Sequence, residues 1–121
     1  MAWAIDDDVV GYFTLRVAVL DPVAGGPRFS SPKAPGFLLA KLGLTESHQG
    51  KGHGPQLLAK AVAMAADAGD LVGGRFIVVD ASDGAHGFYR RFDFTPFTDG
   101  SARLYMPMAR ASSIRDQLRA S

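Results

Sequence analysis

Residues 48–58 read HQGKGHGPQLL, with Gly50, Gly52 and Gly54 at alternate positions. An apolar, strand-like run precedes them, GFLLAKLGL, and a helix-like run follows, LLAKAVAMAA. A backbone this bare between a strand and a helix permits few folds. Glycine removes the Cβ, so the chain can turn tightly and a ligand can approach the main chain closely. The first turn of the following helix presents unpaired N–H groups and the positive end of the helix dipole. Together these form a site for an anion, with Lys51 adding a point charge. Two common phosphate-binding patterns fail. A P-loop needs a glycine five residues before Gly50-Lys51, where Thr45 stands. The dinucleotide fingerprint needs G-x-G-x-x-G, and here the spacing is G-x-G-x-G. On the glycines alone, a tight strand-to-helix turn with no ligand is as good a reading as an anion site.

The rest of the chain supplies the frame. Its 121 residues suit one domain, residues 1–121, with one core. There is no cysteine, so disulfides and thiolate metal sites are excluded. No apolar run approaches the roughly 20 residues of a membrane span, and the acidic start MAWAIDDD is unlike an export signal. A cytoplasmic protein with no membrane association is the expectation. The net charge of +1 neither requires nor excludes nucleic acid. Four arginines late in the chain, Arg103, Arg110, Arg115 and Arg119, read as a solvated helix face or as a basic patch for a partner.

WAI-DDD-VVGYFTLRVAV reads as a β-hairpin around an acidic turn. Residues 21–36 are rich in Pro, Gly and Ser and read as a long loop. A buried strand is predicted over 37–44 and a helix over 53–68. In that helix Leu57, Leu58, Ala61, Val62 and Ala65 share a face, Pro55 suits the first turn and Gly69 marks the stop. A second apolar strand is predicted over 75–81 and a short helix over 84–92. FTPF and RLYMPMA then form a closing strand pair, and a helix over 112–120 starts on a Ser cap. Strand–helix–strand in the middle requires a parallel crossover, while hairpins at both ends give antiparallel edges. The fold class is α/β, an α+β mixed sheet with helices packed on it.

Gln49-x-x-Gly52-x-Gly54 between such a strand and helix resembles the acyl-CoA signature of the GNAT N-acyltransferase superfamily, Q/R-x-x-G-x-G/A. The resemblance runs through FLLAKLGLTESHQGKGHGPQLLAKAV, FIVVDASDGAHGFYRRFDFTPF and RLYMPM, and covers most of residues 9–108. Within the superfamily the chain looks like the tRNA-acetylating toxins of bacterial toxin–antitoxin pairs. That resemblance implies the GNAT fold with acetyl-CoA as acyl donor and no metal. The backbone of Leu42, Gly43 and Leu44 would hold the pantetheine arm. Gln49, Gly50, Lys51, Gly52, His53 and Gly54 would hold the pyrophosphate, and Phe88 joins that cofactor-binding set. Tyr89 would be the catalytic acid to the departing thiolate. Arg75, Arg90 and Arg91 are candidate contacts to an RNA substrate. The implied partners are aminoacyl-tRNA, a ribbon-helix-helix antitoxin and a second copy in a homodimer.

His48 and His86 read as surface residues, and Asp80 and Asp83 as either ligand-facing acids or, for Asp83, a helix cap. Compared with the family, the usual N-terminal strand and helices that precede the hairpin are expected to be lacking. Two alternatives stay open: a GNAT enzyme acting on a small-molecule amine or a protein, and a non-catalytic form that binds CoA or an antitoxin.

Overall fold

The computed structural model describes residues 2–5, 8–20, 34–44, 52–82, 84–98 and 100–120. Six strands form one sheet in the order β1-β2-β3-β4-β6-β5. β1 (Ala2–Ile5) and β2 (Asp8–Leu20) form the expected antiparallel hairpin. β3 (Ala34–Leu44) pairs antiparallel with β2 along nearly its whole length. It therefore starts three residues before the predicted strand: Ala34, Pro35 and Gly36 lie opposite Leu20, Val19 and Ala18. Pro35 lacks an N–H, yet its carbonyl accepts from the Arg75 N–H at 2.8 Å.

α1 (His53–Val72) crosses from β3 to β4 (Phe76–Asp80), and β3 and β4 are parallel neighbours. The face of α1 toward the sheet holds Leu57, Leu58, Ala61, Val62, Ala65, Ala66 and Gly69, all buried. The helix runs past Gly69, where the sequence places its end. Gly69 is helical, and a Cβ there would come within 2.9 Å of the Met108 Cε. It is a packing glycine that admits the next helix. The stop is Gly73, left-handed at φ 80°, whose N–H bonds the Gly69 carbonyl at 2.7 Å.

α2 (His86–Arg91), β5 (Thr95–Pro96), β6 (Arg103–Pro107) and α3 (Met108–Ala120) complete the chain. α3 begins four residues earlier than predicted and has no serine cap, because it leaves β6 directly: the Met108 N–H is taken by the Arg75 carbonyl at 2.8 Å. Met108, Ala111 and Ile114 pack on the same core as α1. The core lies between these two helices and Phe13, Leu39, Ile77, Val79, Leu104 and Met106 of the sheet. A smaller cluster, Val78 and Phe97 with Leu38, Phe76 and Tyr105, covers part of the other face.

The late arginines are not a free basic patch: Arg103, Arg110 and Arg119 are solvated as expected, but all four are ion-paired, and Arg115 is largely buried. Arg115 pairs with Asp67, Asp70 and Asp116, and Arg119 with Asp67, which ties α3 to α1. Arg110 donates to Asp93 in the turn after α2, and Arg103 to Asp80 across β4 and β6. Among the described residues no helix is long and apolar enough to cross a membrane.

Candidate active site

The β3–β4 pairing runs only from Gly36↔Phe76 to Leu39↔Val79. Beyond it the two strands leave each other for opposite partners. β3 stays with β2, pairing Gly43 with Tyr12 and Leu44 with Gly11. β4 follows β6: Asp80 lies opposite Arg103, and the Ala81 N–H bonds the Ala102 carbonyl at 2.9 Å. A bulge drives the divergence. From Thr14↔Ala40 to Tyr12↔Gly43, β3 advances one residue more than β2, and Lys41 takes the left-handed φ of 56°. The Thr14 hydroxyl donates to the Ala40 carbonyl at 3.0 Å and pins the bulge. From Ala40 to Leu44 one edge of β3 faces the opened split rather than a paired strand.

A cavity of about 330 Å³ fills the split, lined by Ala40, Lys41, Leu42, Asp80, Ser82 and Tyr89 among others. A second hollow of about 280 Å³ adjoins it through Leu42 and is lined by Gly43, Leu44, Gly54, Leu57 and Phe88. Its walls are mostly apolar, and Gly54 brings it to the first turn of α1. Among the described residues no side chain caps that helix; its cap is Gly52, left-handed at φ 77°, with open space among them where a Cβ would stand. The first turn of α1 thus lies at the end of the apolar groove that adjoins the split, with no cap from the described residues.

Tyr89 lines the split, and its neighbour Phe88 lines the groove. It is 9% exposed and held edge-on between Phe88 and Phe94, with ring centroids 5.2 and 5.7 Å away. Its hydroxyl has no hydrogen-bond partner among the described residues and is not sealed from the cavity. Burial pushes its pKa up from the ordinary 10.0, because a phenolate there would lose its water. The phenol is thus kept protonated.

The structure brings together Leu42, Gly43, Leu44, Gly52, His53, Gly54, Phe88 and Tyr89. Gln49, Gly50, Lys51, His48 and Asp83 lie outside the described residues. A Cβ at Gly43 would lie 2.8 Å from the hydroxyl of the exposed Tyr12, which would have to move aside. The His53 ring lies 3.4 Å from the Gln56 side-chain oxygen at the helix start. Arg90 and Arg91 are exposed on α2 beside Tyr89. Arg75 is elsewhere. It precedes β4, whereas the split opens past the far end of that strand, so the fold does not bring it to the cavity.

Asp80 is not a free base. Arg103 grips both its oxygens at 2.7 and 2.8 Å, and this hydrogen bonding holds the carboxyl below its ordinary pKa. His86 is half-buried rather than a plain surface residue; its Nε2 meets the Ser101 carbonyl at 3.1 Å and ties α2 to the β5–β6 turn. Sequence reasoning missed the bulge, Ser82 and the lining role of Lys41. The position just past a parallel strand signals Ser82, but a bulge has no comparable sequence mark.

The family model for the acetyltransferase (GNAT) domain matches residues 2–96. The chain belongs to the GNAT acetyltransferase family. A tRNA-acetylating toxin of Mycobacterium tuberculosis (strain ATCC 25618 / H37Rv) is 36% identical over 112 residues, 88% of this chain and 68% of the toxin. Among solved structures, a Tyr-to-Phe mutant of the AtaT toxin, bound to the C-terminus of the antitoxin AtaR and to acetyl-CoA, superposes with TM-score 0.74. It is 26% identical, over 91% of this chain and 67% of AtaT. AtaT complexed with acetyl-methionyl-tRNAfMet gives TM-score 0.76 at 25% identity, over 98% of this chain and 71% of that one. This GNAT chain therefore spans about two thirds of the length of these relatives. The mixed α/β sheet expected from the order of strands and helices is the fold it shares with them.

Proposed function

We propose that this GNAT protein transfers the acetyl group of acetyl-CoA to the amino group of an aminoacyl-tRNA, as the toxin of a toxin–antitoxin pair. One observation carries the reading: a buried, protonated tyrosine lines the split between parallel strands, and the adjacent Phe88 lines an apolar groove that reaches the first turn of α1. The fit to acetyl-CoA follows from the parts. The helix N–H groups and Gly52 suit a pyrophosphate, the hollow along Leu42–Leu44 and Phe88 suits the arm, and the unpaired edge of β3 offers main-chain hydrogen bonds. The M. tuberculosis relative and the tRNA-bound AtaT neighbour support the acceptor.

The transfer breaks one carbon–sulfur bond and makes one carbon–nitrogen bond. The amine gives up a proton and the thiolate takes one. Tyr89 holds the second of these protons and donates it from its hydroxyl to the sulfur. A raised pKa suits a donor, since the group stays protonated until it is used. Asp80 is occupied by Arg103, so no strong base is assigned. The amine of an aminoacyl ester is only weakly basic and enters largely unprotonated. The proton its nitrogen loses after attack passes to water, and water returns one to the Tyr89 phenolate, so no strong base is needed. Arg90 and Arg91, exposed on the helix that carries Tyr89, contact the RNA backbone in this reading. Arg75 does not.

The antitoxin-bound neighbour supports an antitoxin as partner. A ribbon-helix-helix antitoxin and a homodimer belong to the same reading, testable by co-purification and by sedimentation. The deciding experiment incubates the purified protein with acetyl-CoA and charged tRNA and measures free thiol. Release that requires the aminoacyl group supports the assignment. Equal release with uncharged tRNA, or none from a protein that binds acetyl-CoA, removes it.

A further inference from the structure

The split carries a charge that the transfer chemistry does not use. Of the two ionisable side chains that line it besides Tyr89 among the described residues, Asp80 is neutralised by the two-pronged grip of Arg103. Lys41 is exposed and forms no ion pair among the described residues. It also stands at the bulge, with a left-handed backbone that a lysine adopts only at an energetic cost. Such strain persists where the surrounding structure imposes it, and it concentrates at working sites. Position decides which half of the site the charge serves. The uncapped start of α1 adjoins the Leu42–Leu44 hollow, whereas Lys41 lines the cavity beyond Leu42, on the side of Asp80 and Ser82. The donor's anion thus has its own site at the helix, and the ammonium is left for something else.

We propose that Lys41 is a specificity-determining residue: its ammonium pairs with a phosphate of the acceptor next to the reacting amine, and so selects nucleotide-linked amines over neutral ones. The inference deepens the acceptor reading above and rests on it for the identity of the amine. Lysine suits the task as a mobile point charge on a four-carbon stem, which can follow a phosphate without fixed bidentate geometry.

The test uses stable acceptor mimics, an adenosine whose ribose bears an aminoacyl group through an amide, with and without a 5′-phosphate. Binding to the acetyl-CoA-loaded protein is measured by calorimetry at low and moderate salt. The wild type is expected to bind the phosphorylated mimic about tenfold more tightly. The log–log salt slope should be steeper for the phosphorylated mimic by about 0.7, the value for one contact on a single strand. Lys41→Asn removes the charge and tolerates the left-handed backbone better than lysine does, so the fold is kept and the preference is lost. Lys41→Arg keeps the preference.

Equal binding of the two mimics by the wild type, or binding of neither, overturns the proposal. So does a preference that survives Lys41→Asn. Weakening of acetyl-CoA by that variant, by the same factor, would place Lys41 on the donor side and also overturns it. Thiol release with charged tRNA is followed on the same samples. A wild type that prefers the phosphorylated mimic yet acetylates no charged tRNA would sink the function assigned above and leave the selection by Lys41 standing.

Discussion

Tyr89 combines a ring buried among Phe88 and Phe94 with a hydroxyl that has no hydrogen-bond partner among the described residues and belongs to the lining of the cavity. Removing the hydroxyl therefore costs the fold little and the chemistry much. Tyr89→Phe should lower kcat by about 100-fold or more, the usual contribution of a positioned proton donor, while the acetyl-CoA Kd and the melting temperature stay near wild type. Unchanged turnover would remove Tyr89 from the chemistry. The raised pKa adds a second expectation. Ionisation is disfavoured in the folded state, so this stabilisation is fully present below the unfolded tyrosine pKa and is lost as pH rises through the higher folded value. An absorbance titration should find one late-ionising tyrosine in the wild type that is missing from Tyr89→Phe. If all tyrosines titrate together near their ordinary value, the burial argument fails.

Gly69 shows how far a local signal reaches and where it stops. Glycine at the end of an apolar-periodic run reads as a helix stop, yet here it is where Met108 of α3 crosses α1. The expected variant behaviour has opposite signs in two backgrounds. Gly69→Ala gains about 1 kcal/mol in helix propensity but crowds the Met108 side chain, which costs roughly 1–3 kcal/mol. It should be neutral to destabilising alone and stabilising when combined with Met108→Ala. Additive effects in denaturant unfolding would refute the contact. The same helix pair carries a pH signature. Hydrogen bonding by Arg119 holds the Asp67 carboxyl below its ordinary pKa. This stabilisation is complete above the unfolded value, about 3.9, and is lost as pH falls through the lower folded one. From pH 5 downward, wild type should lose more melting temperature than Asp67→Asn, though exposed pairs limit the gap to about 1 kcal/mol. Parallel losses would show the clamp to be inert. The strands and the α1 face were readable because each is a local pattern: alternation and helical spacing. The start of α3, the pairing of the four arginines, the place of Arg75 and the bulge at Lys41 depend, the adjacent Arg115–Asp116 pair aside, on residues 17 to 52 positions apart, which no local pattern holds.

The whole site exists because two strands that begin as partners end with different ones, and the donor would join what they leave apart. The groups proposed to bind it are spread over β3, α1 and α2, so acetyl-CoA should bind the folded chain and not the unfolded one. At 100 times its Kd such a ligand adds about 2.7 kcal/mol of stability. For a domain of this size that raises the melting temperature by roughly 10 °C. Gly52→Val separates the two roles of that glycine. A β-branched residue at a φ of 77° is strained by about 1–2 kcal/mol, which lowers the melting temperature without ligand. Its side chain also enters the open space before the helix N–H groups, so the rise on adding acetyl-CoA should vanish as well. Gly73 is the internal control. It has the same left-handed conformation, at φ 80°, and the same open surroundings, but lies at the opposite end of α1. Gly73→Val should show the same loss without ligand and keep the full rise with it. If both variants respond equally to acetyl-CoA, the donor is not held at the start of α1, and the split between β3 and β4 must be reached from another side.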